Sequence, residues 1–264
     1  MLTIYQIHNL LRRQNEVISA VFEGMPIEKA LAGTQGILDG TYPSPPSYQT
    51  PLWWTMAELQ VERVAAFLAL HVGGASNRWP LVIPPVPVEF QPQTATEVLL
   101  LTVNLPAKGT MSCLRRTFDA WWDFVVPPCG YSKLRWDELK SDFRHLRVVP
   151  EVDHQPGIRW VAFDPSANHG KSPAMCQADP GTVPRLASAE VLMATALNPG
   201  WVASWDGDVS PYPNMAGLEA YWAGGWHYAP YLNRWDDEYR LRLAAHWGGR
   251  IRDRWACPTV RQVF

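Results

Sequence analysis

Three groups of residues in this 264-residue chain have types that could do chemistry. The first is Gly170-Lys171-Ser172, which follows an apolar stretch from Ile158 to Phe163 as a phosphate-binding loop follows its strand. Such a loop needs a first Gly five residues before the second, because its backbone amides wrap the phosphates. That position is Pro165, and Pro173 stands where the phosphate-facing helix should already be running. The tripeptide is therefore read as chance, and no nucleotide is expected. The second group is His154, Asp164 and His169 at the two ends of the same stretch, with Asp153 beside the first. A hydrolase or transferase site can be built from them on paper. The third is the acids. Asp206 and Asp208 could do acid–base work or hold a hard cation. Asp-Gly is first a turn signal, so a turn is the leading reading there and a calcium ion the second. Asp236, Asp237 and Glu238 read as a solvated hairpin end.

The cysteines exclude more than they suggest. Cys113, Cys129, Cys176 and Cys257 form no Cys-x-x-Cys pair, and the seven His form no His-x-x-x-His pair. Zinc ligands come in close couples because two donors from one turn lower the ordering cost. No zinc and no other cofactor is expected, and the thiols read as unpaired in a reducing compartment. No Gly-x-Ser-x-Gly elbow exists. Cys257 has no second cysteine near it in the sequence.

The elements that must position these residues divide the chain in two. Apolar spacing predicts helices over 4–22, 26–31, 53–72 and 110–125, with a further helix capped by Ser132 and running to Asp142. A buried strand is predicted over 97–105, bounded by Pro106, and another over 158–163. Residues 164–184 read as a long polar loop. Ser188 caps a helix to Leu197, which Asn198-Pro199-Gly200 ends. After Trp201 the texture changes to short strands over 216–222, 227–232, 239–246 and 255–263, punctuated by Gly224-Gly225 and Gly248-Gly249. The expected organisation is a mainly helical region over residues 1–150 and a sheet domain over 151–264. The fold class is α+β, with the helical half packed on a mixed or antiparallel sheet.

Composition limits the function further. Hydrophobic residues are 47% and charged residues 18%, which excludes a disordered chain. A net charge of −2 gives no support to a nucleic-acid partner. No apolar run reaches about 18 residues, so no membrane insertion is expected. Met1 to Gly24 shows neither an early basic cluster nor a continuous apolar stretch, so a cytoplasmic location is expected. The outlying number is 14 Trp, seven of them after Gly200, in a stretch with seven Arg and no Lys.

Those C-terminal residues carry a resemblance. The last strand, Ala256-Cys257-Pro258-Thr259-Val260-Arg261-Gln262-Val263, resembles the closing Val-Arg strand of C-type-lectin-fold domains of the formylglycine-generating-enzyme type. The stretch from Trp226 to Trp255 is similar to the variable regions that diversity-generating retroelements install on that fold. There, positions reachable by adenine mutagenesis alternate with a fixed scaffold of Trp and Leu. Here Asn233, Arg234, Asp236, Asp237, Tyr239, Arg240, Arg242, His246, Arg250, Arg252, Asp253 and Arg254 lie between Trp226, Trp235, Leu241, Leu243, Trp247 and Trp255. Glu238 departs from that codon pattern. The resemblance implies a C-type-lectin-like domain without the oxidase activity, since that chemistry uses two cysteines. It also implies that the named residues form a ligand-binding surface for a protein or other macromolecule.

The residues themselves agree in one respect: Leu241 and Leu243 can point inward, leaving Arg240 and Arg242 on the opposite face. The expected function is non-enzymatic capture of a macromolecular partner, with the hydrolase or transferase near His154, Asp164 and His169 as the alternative. An Arg–Asp lattice that merely covers the core is the plainer reading of the same face.

Overall fold

The computed structural model describes residues 54–72, 82–87, 90–139, 146–149, 155–179, 185–206, 210–222, 224–235 and 238–263. All belong to one compact unit, Thr50–Phe264. In chain order its elements are α1 (Ala57–His71), β1 (Val98–Asn104), α2 (Cys113–Phe124), β2 (Ser132–Arg135), β3 (Leu146–Val148), β4 (Gly157–Asp164), α3 (Pro173–Gln177), β5 (Arg185–Leu186), α4 (Glu190–Leu197), α5 (Pro199–Ser204), β6 (Tyr212–Pro213), β7 (Leu218–Trp222), β8 (Gly225–Trp235), β9 (Arg240–Trp247), β10 (Trp255–Ala256) and β11 (Thr259–Gln262). Helices and mixed sheets together make an α+β fold.

The first sheet is four-stranded, in the order β1-β4-β11-β5. Its strands read as near-continuous apolar runs because both faces are covered: Val98, Leu100, Leu101 and Val103 are all buried. β1 is an edge, and an edge strand presents unpaired N–H and C=O groups. Side chains from α1, from α2 and from Trp54 just before α1 meet them in alternation. The Nε1 of Trp54 and the Nε2 of Gln60 donate to the Leu99 carbonyl at 2.8 and 3.0 Å. The Leu101 amide donates to Gln60 Oε1 at 3.0 Å. Trp121 Nε1 donates to the Val103 carbonyl, and the Leu105 amide donates to Thr117 Oγ1. This accounts for a buried Gln on the inner face of α1. Phe67 of α1 stacks on Trp121 of α2 with ring centres 3.8 Å apart, adding about 1 kcal/mol to their burial.

The second sheet is five-stranded, in the order β2-β9-β8-β7-β3. Its inner face is held to α2 by charge. Arg115 and Arg135 share the Asp119 carboxylate at 2.8 and 2.6 Å, and both donate to the Leu139 carbonyl. The Arg of the closing Val-Arg pair is structural as well. Arg261 grips the buried Glu97 through Nε and Nη2 at 3.0 and 2.8 Å, fixing β11 to the start of β1.

Several local expectations change. Ser132 starts a strand and not a helix, because Ser132–Arg135 pairs in parallel with Arg240–Leu243 of β9, and tertiary pairing outweighs a capping signal. The polar loop over 164–184 contains α3, whose N-cap is Ser172, accepting from the Met175 amide. Pro173 takes its first position, so it opens this helix rather than blocking one. Past Asn198 the chain does not leave helical structure but starts α5 with Pro199. The predicted last strand is split by Pro258 into β10, paired in parallel with β6, and β11. The helices predicted over 4–22 and 26–31 lie outside the described residues. The boundary expected near residue 150 falls between β3 and β4, and both sheets draw strands from either side of it.

Candidate functional site

β8 and β9 form a long antiparallel hairpin, and its register decides which residues share a face. Directly paired residues point the same way and successive ones alternate. Leu232 pairs Leu243 and Arg234 pairs Leu241 on one side. Both leucines of β9 are fully buried. On the other side Trp235 pairs Arg240, Asn233 pairs Arg242, Tyr231 pairs Ala244 and Ala229 pairs His246. The inward leucines and outward arginines of β9 therefore stand as the alternation requires.

The outward face has a floor and a rim. Its floor is a small apolar cluster of Tyr231, Ala244 and Trp255, with Trp136 and Tyr212 against it. Trp255 meets Tyr231 edge-on at 4.5 Å and His246 at 5.5 Å. The rim is polar and aromatic. Arg242 lies over the Trp235 ring and Arg252 over Trp255, each 5.2 Å from the centroid. Arg240 pairs with Glu238 at 2.9 Å. Tyr239 is exposed, rests on Tyr131 and holds a left-handed φ of 48° at the hairpin end. Among the described residues, the exposed large aromatic side chains are Trp235, Tyr239 and Trp247, all within this hairpin.

His246 belongs to the floor, not the rim. It is buried, its Nδ1 is 2.9 Å from the Trp247 carbonyl, and its Nε2 is 2.9 Å from Asn214 Oδ1. Burial pushes its pKa down to about 4, the Trp247 carbonyl opposes this, and the Arg252 and Arg250 charges add to it. A neutral imidazole has one proton to give. Both atoms facing the ring are oxygens, so that single proton serves the Trp247 carbonyl or Asn214 Oδ1 and not both. His246 thus fixes the hairpin to the segment entering β7.

The remaining sequence-selected residues are dispersed. Arg234 is on the inward side, where Nη1 donates to the Ala203 carbonyl at 2.7 Å. Arg250, Asp253 and Arg254 are exposed and Arg252 half-buried, in the segment leading to β10. Asp236 and Asp237 lie outside the described residues. Tyr231, Trp255 and Asn214, which the sequence reading did not select, build the floor. Their signal was only the excess of aromatics, since the contact of β8 with β10 is not a local pattern.

The other candidate groups have structural duties. Asp164 is buried, and its two carboxylate oxygens accept from Thr96 and Thr94 hydroxyls at 2.7 Å each, with the Ser166 amide also donating. Its lone pairs are committed to the turn after β4, and no hydrogen bond joins it to the exposed His169. His154 lies outside the described residues. Asp206 closes a turn by accepting from the Ser210 amide at 3.0 Å, and Asp208 lies outside the described residues. Ser172 is a helix cap, and Lys171 donates to Asn168 Oδ1. Among the described residues no cluster of three or more His, Cys, Asp or Glu could hold a metal ion, and no helix is long and apolar enough to cross a membrane.

Cys257, which has no second cysteine near it in the sequence, has one beside it in the fold: Cys176, from α3, shares its buried cluster with Ala216. The Cys176 thiol and then burial raise the Cys257 pKa well above the usual thiol value. All four cysteines are free thiols. Comparison with family models, with curated proteins and with solved structures finds no match to this chain.

Proposed function

We propose that the protein is a non-enzymatic binder that captures a macromolecular partner through the outward face of the β8–β9 hairpin. The observation that carries this reading is the segregation of side chains on β9. Leu241 and Leu243 are consumed by the core, while Arg240 and Arg242 sit with Trp235 on the opposite face. Trp, Tyr and Arg are the residues that dominate binding energy at interfaces, since each offers a large rigid contact or a planar fork of donors. A merely solvated face would gain little from them and would leave less apolar surface in water.

A C-type-lectin-like scaffold of the kind diversified by retroelements is the accompanying proposal. It is supported by the Val-Arg closing strand lying between two partners, β4 and β5, and by the candidate variable positions falling on one hairpin and the segment after it. The arrangement keeps the described variable candidates off the core, with Arg234 and His246 as exceptions. The test is capture from extract of the source cells by the full chain and by a Tyr239→Ala/Arg240→Ala/Arg242→Ala variant. The expected result is one recurrent partner, lost in the variant at unchanged melting behaviour. Equal recovery by both proteins contradicts the reading.

A further inference from the structure

We infer that the guanidinium groups of Arg242, Arg250 and Arg252 form a seat for carboxylates, so that the partner is met through an acidic, partly apolar protein segment. This rests on the hairpin being a binding face and names what that face takes.

The geometry brings Arg242 and Arg252 to the outward face of the hairpin, with the exposed Arg250 two residues before Arg252. Arg242 is on the outward side of β9, one pair along from the Tyr231–Ala244 pair. The chain leaves β9 at Trp247, turns through Gly248 and Gly249, and returns to place the Arg252 guanidinium over Trp255. Trp255 in turn packs on Tyr231. Arg242 and Arg252 are each held over an indole ring, and a guanidinium held by its face keeps its N–H edges for a planar acceptor.

These charges are not spent internally. Arg115, Arg135, Arg147, Arg185, Arg240 and Arg261 each pair with a carboxylate. Among the described residues no acid lies in ion-pair range of Arg242, Arg250 or Arg252. The Nε of Arg252 is buried with no acceptor. Burial and then the charge of Arg250 hold the Arg252 pKa below the ordinary guanidinium value, with Arg242 adding to this and Tyr231 opposing it. Like charges that act on one another with no counter-ion among the described residues are relieved by an incoming anion.

The surroundings choose among anions. Ile251 lies between Arg250 and Arg252 in the sequence and is exposed. An apolar side chain between cations suits a peptide that alternates acids with apolar residues better than a sugar-phosphate strand. The stretch from Asn233 to Arg254 has six Arg against four acids, while the whole chain carries −2, so the positive charge is confined to this stretch and suits a short acidic segment rather than a long polyanion that must also cross acidic surface.

The experiment is fluorescence anisotropy of a dye-labelled peptide of alternating Glu and Leu, titrated with the full chain. Saturable, salt-weakened binding is expected, about tenfold weaker in Arg250→Gln/Arg252→Gln. Arg252→Lys, which keeps the charge but not the fork, should bind with intermediate strength. If the double variant unfolds, Arg250→Gln alone is read, because that side chain is exposed. No binding, unchanged affinity in the variants, equal affinity for a Lys/Leu peptide, or preference for oligothymidylate would each overturn the inference. Failure here with partner capture still abolished by the Tyr239, Arg240 and Arg242 substitutions would remove the carboxylate seat and leave the binding face standing.

Discussion

His246 shows how one buried side chain ties the hairpin to the fold and to solution pH. Its pKa is 6.5 in an unfolded chain and about 4 when folded. Between those values the unfolded state binds more protons, so stability is whole above about pH 6.5 and is lost as pH falls toward 4. The full shift corresponds to about 3 kcal/mol. Urea unfolding at neutral pH and near pH 4 should show a decline that is smaller, by about that amount, in His246→Gln. An identical decline in both proteins would remove His246 as its source. The thiols divide in the same residue-level way. Cys129 is exposed, whereas Cys257 is fully buried in a cluster with Cys176. A maleimide should label Cys129 promptly and reach Cys257 only when the protein is unfolded, read by mass spectrometry of the peptides. Prompt labelling of Cys257 would contradict the packing. The sequence could not announce this pair, because α3 and the start of β11 meet only through the fold.

At the scale of elements, β1 depends on its neighbours more than its own apolar run suggests. Gln60 both donates to the Leu99 carbonyl and accepts from the Leu101 amide. Gln60→Leu leaves a buried backbone donor without a partner, and thermal or chemical unfolding should register a loss of about 1–3 kcal/mol. A neutral change would mean that water reaches this edge. The elements legible in the sequence were those whose period matched their burial: α1, β1, α2, β4, α4 and the β8–β9 hairpin. Those misread were decided by distant partners. Ser132 carries a capping residue's chemistry, yet Ser132–Arg135 completes the edge of β9. Pro258 splits β10 from β11 because each strand pairs with a different sheet. The candidate face was legible in its alternation, since period two follows from strand geometry alone. Its floor was not, because Tyr231, Trp255 and Asn214 come from three segments.

For the whole molecule, the central claim is that β9 serves two masters through its two faces. The side toward the core carries Leu241 and Leu243, whose truncation removes fully buried apolar volume at about 2–5 kcal/mol each. The other side carries Arg240 and Arg242, whose aromatic and exposed ionic contacts stabilise little. An alanine scan of β9, read in parallel as unfolding free energy and as recovery of the captured partner, separates them most directly. Leu241→Ala and Leu243→Ala should destabilise the fold, while Arg240→Ala and Arg242→Ala should shift stability by about 0.5 kcal/mol or less and lose the partner. Arginine variants that unfold the protein, or that recover the partner as well as the unmodified chain does, would contradict the claim.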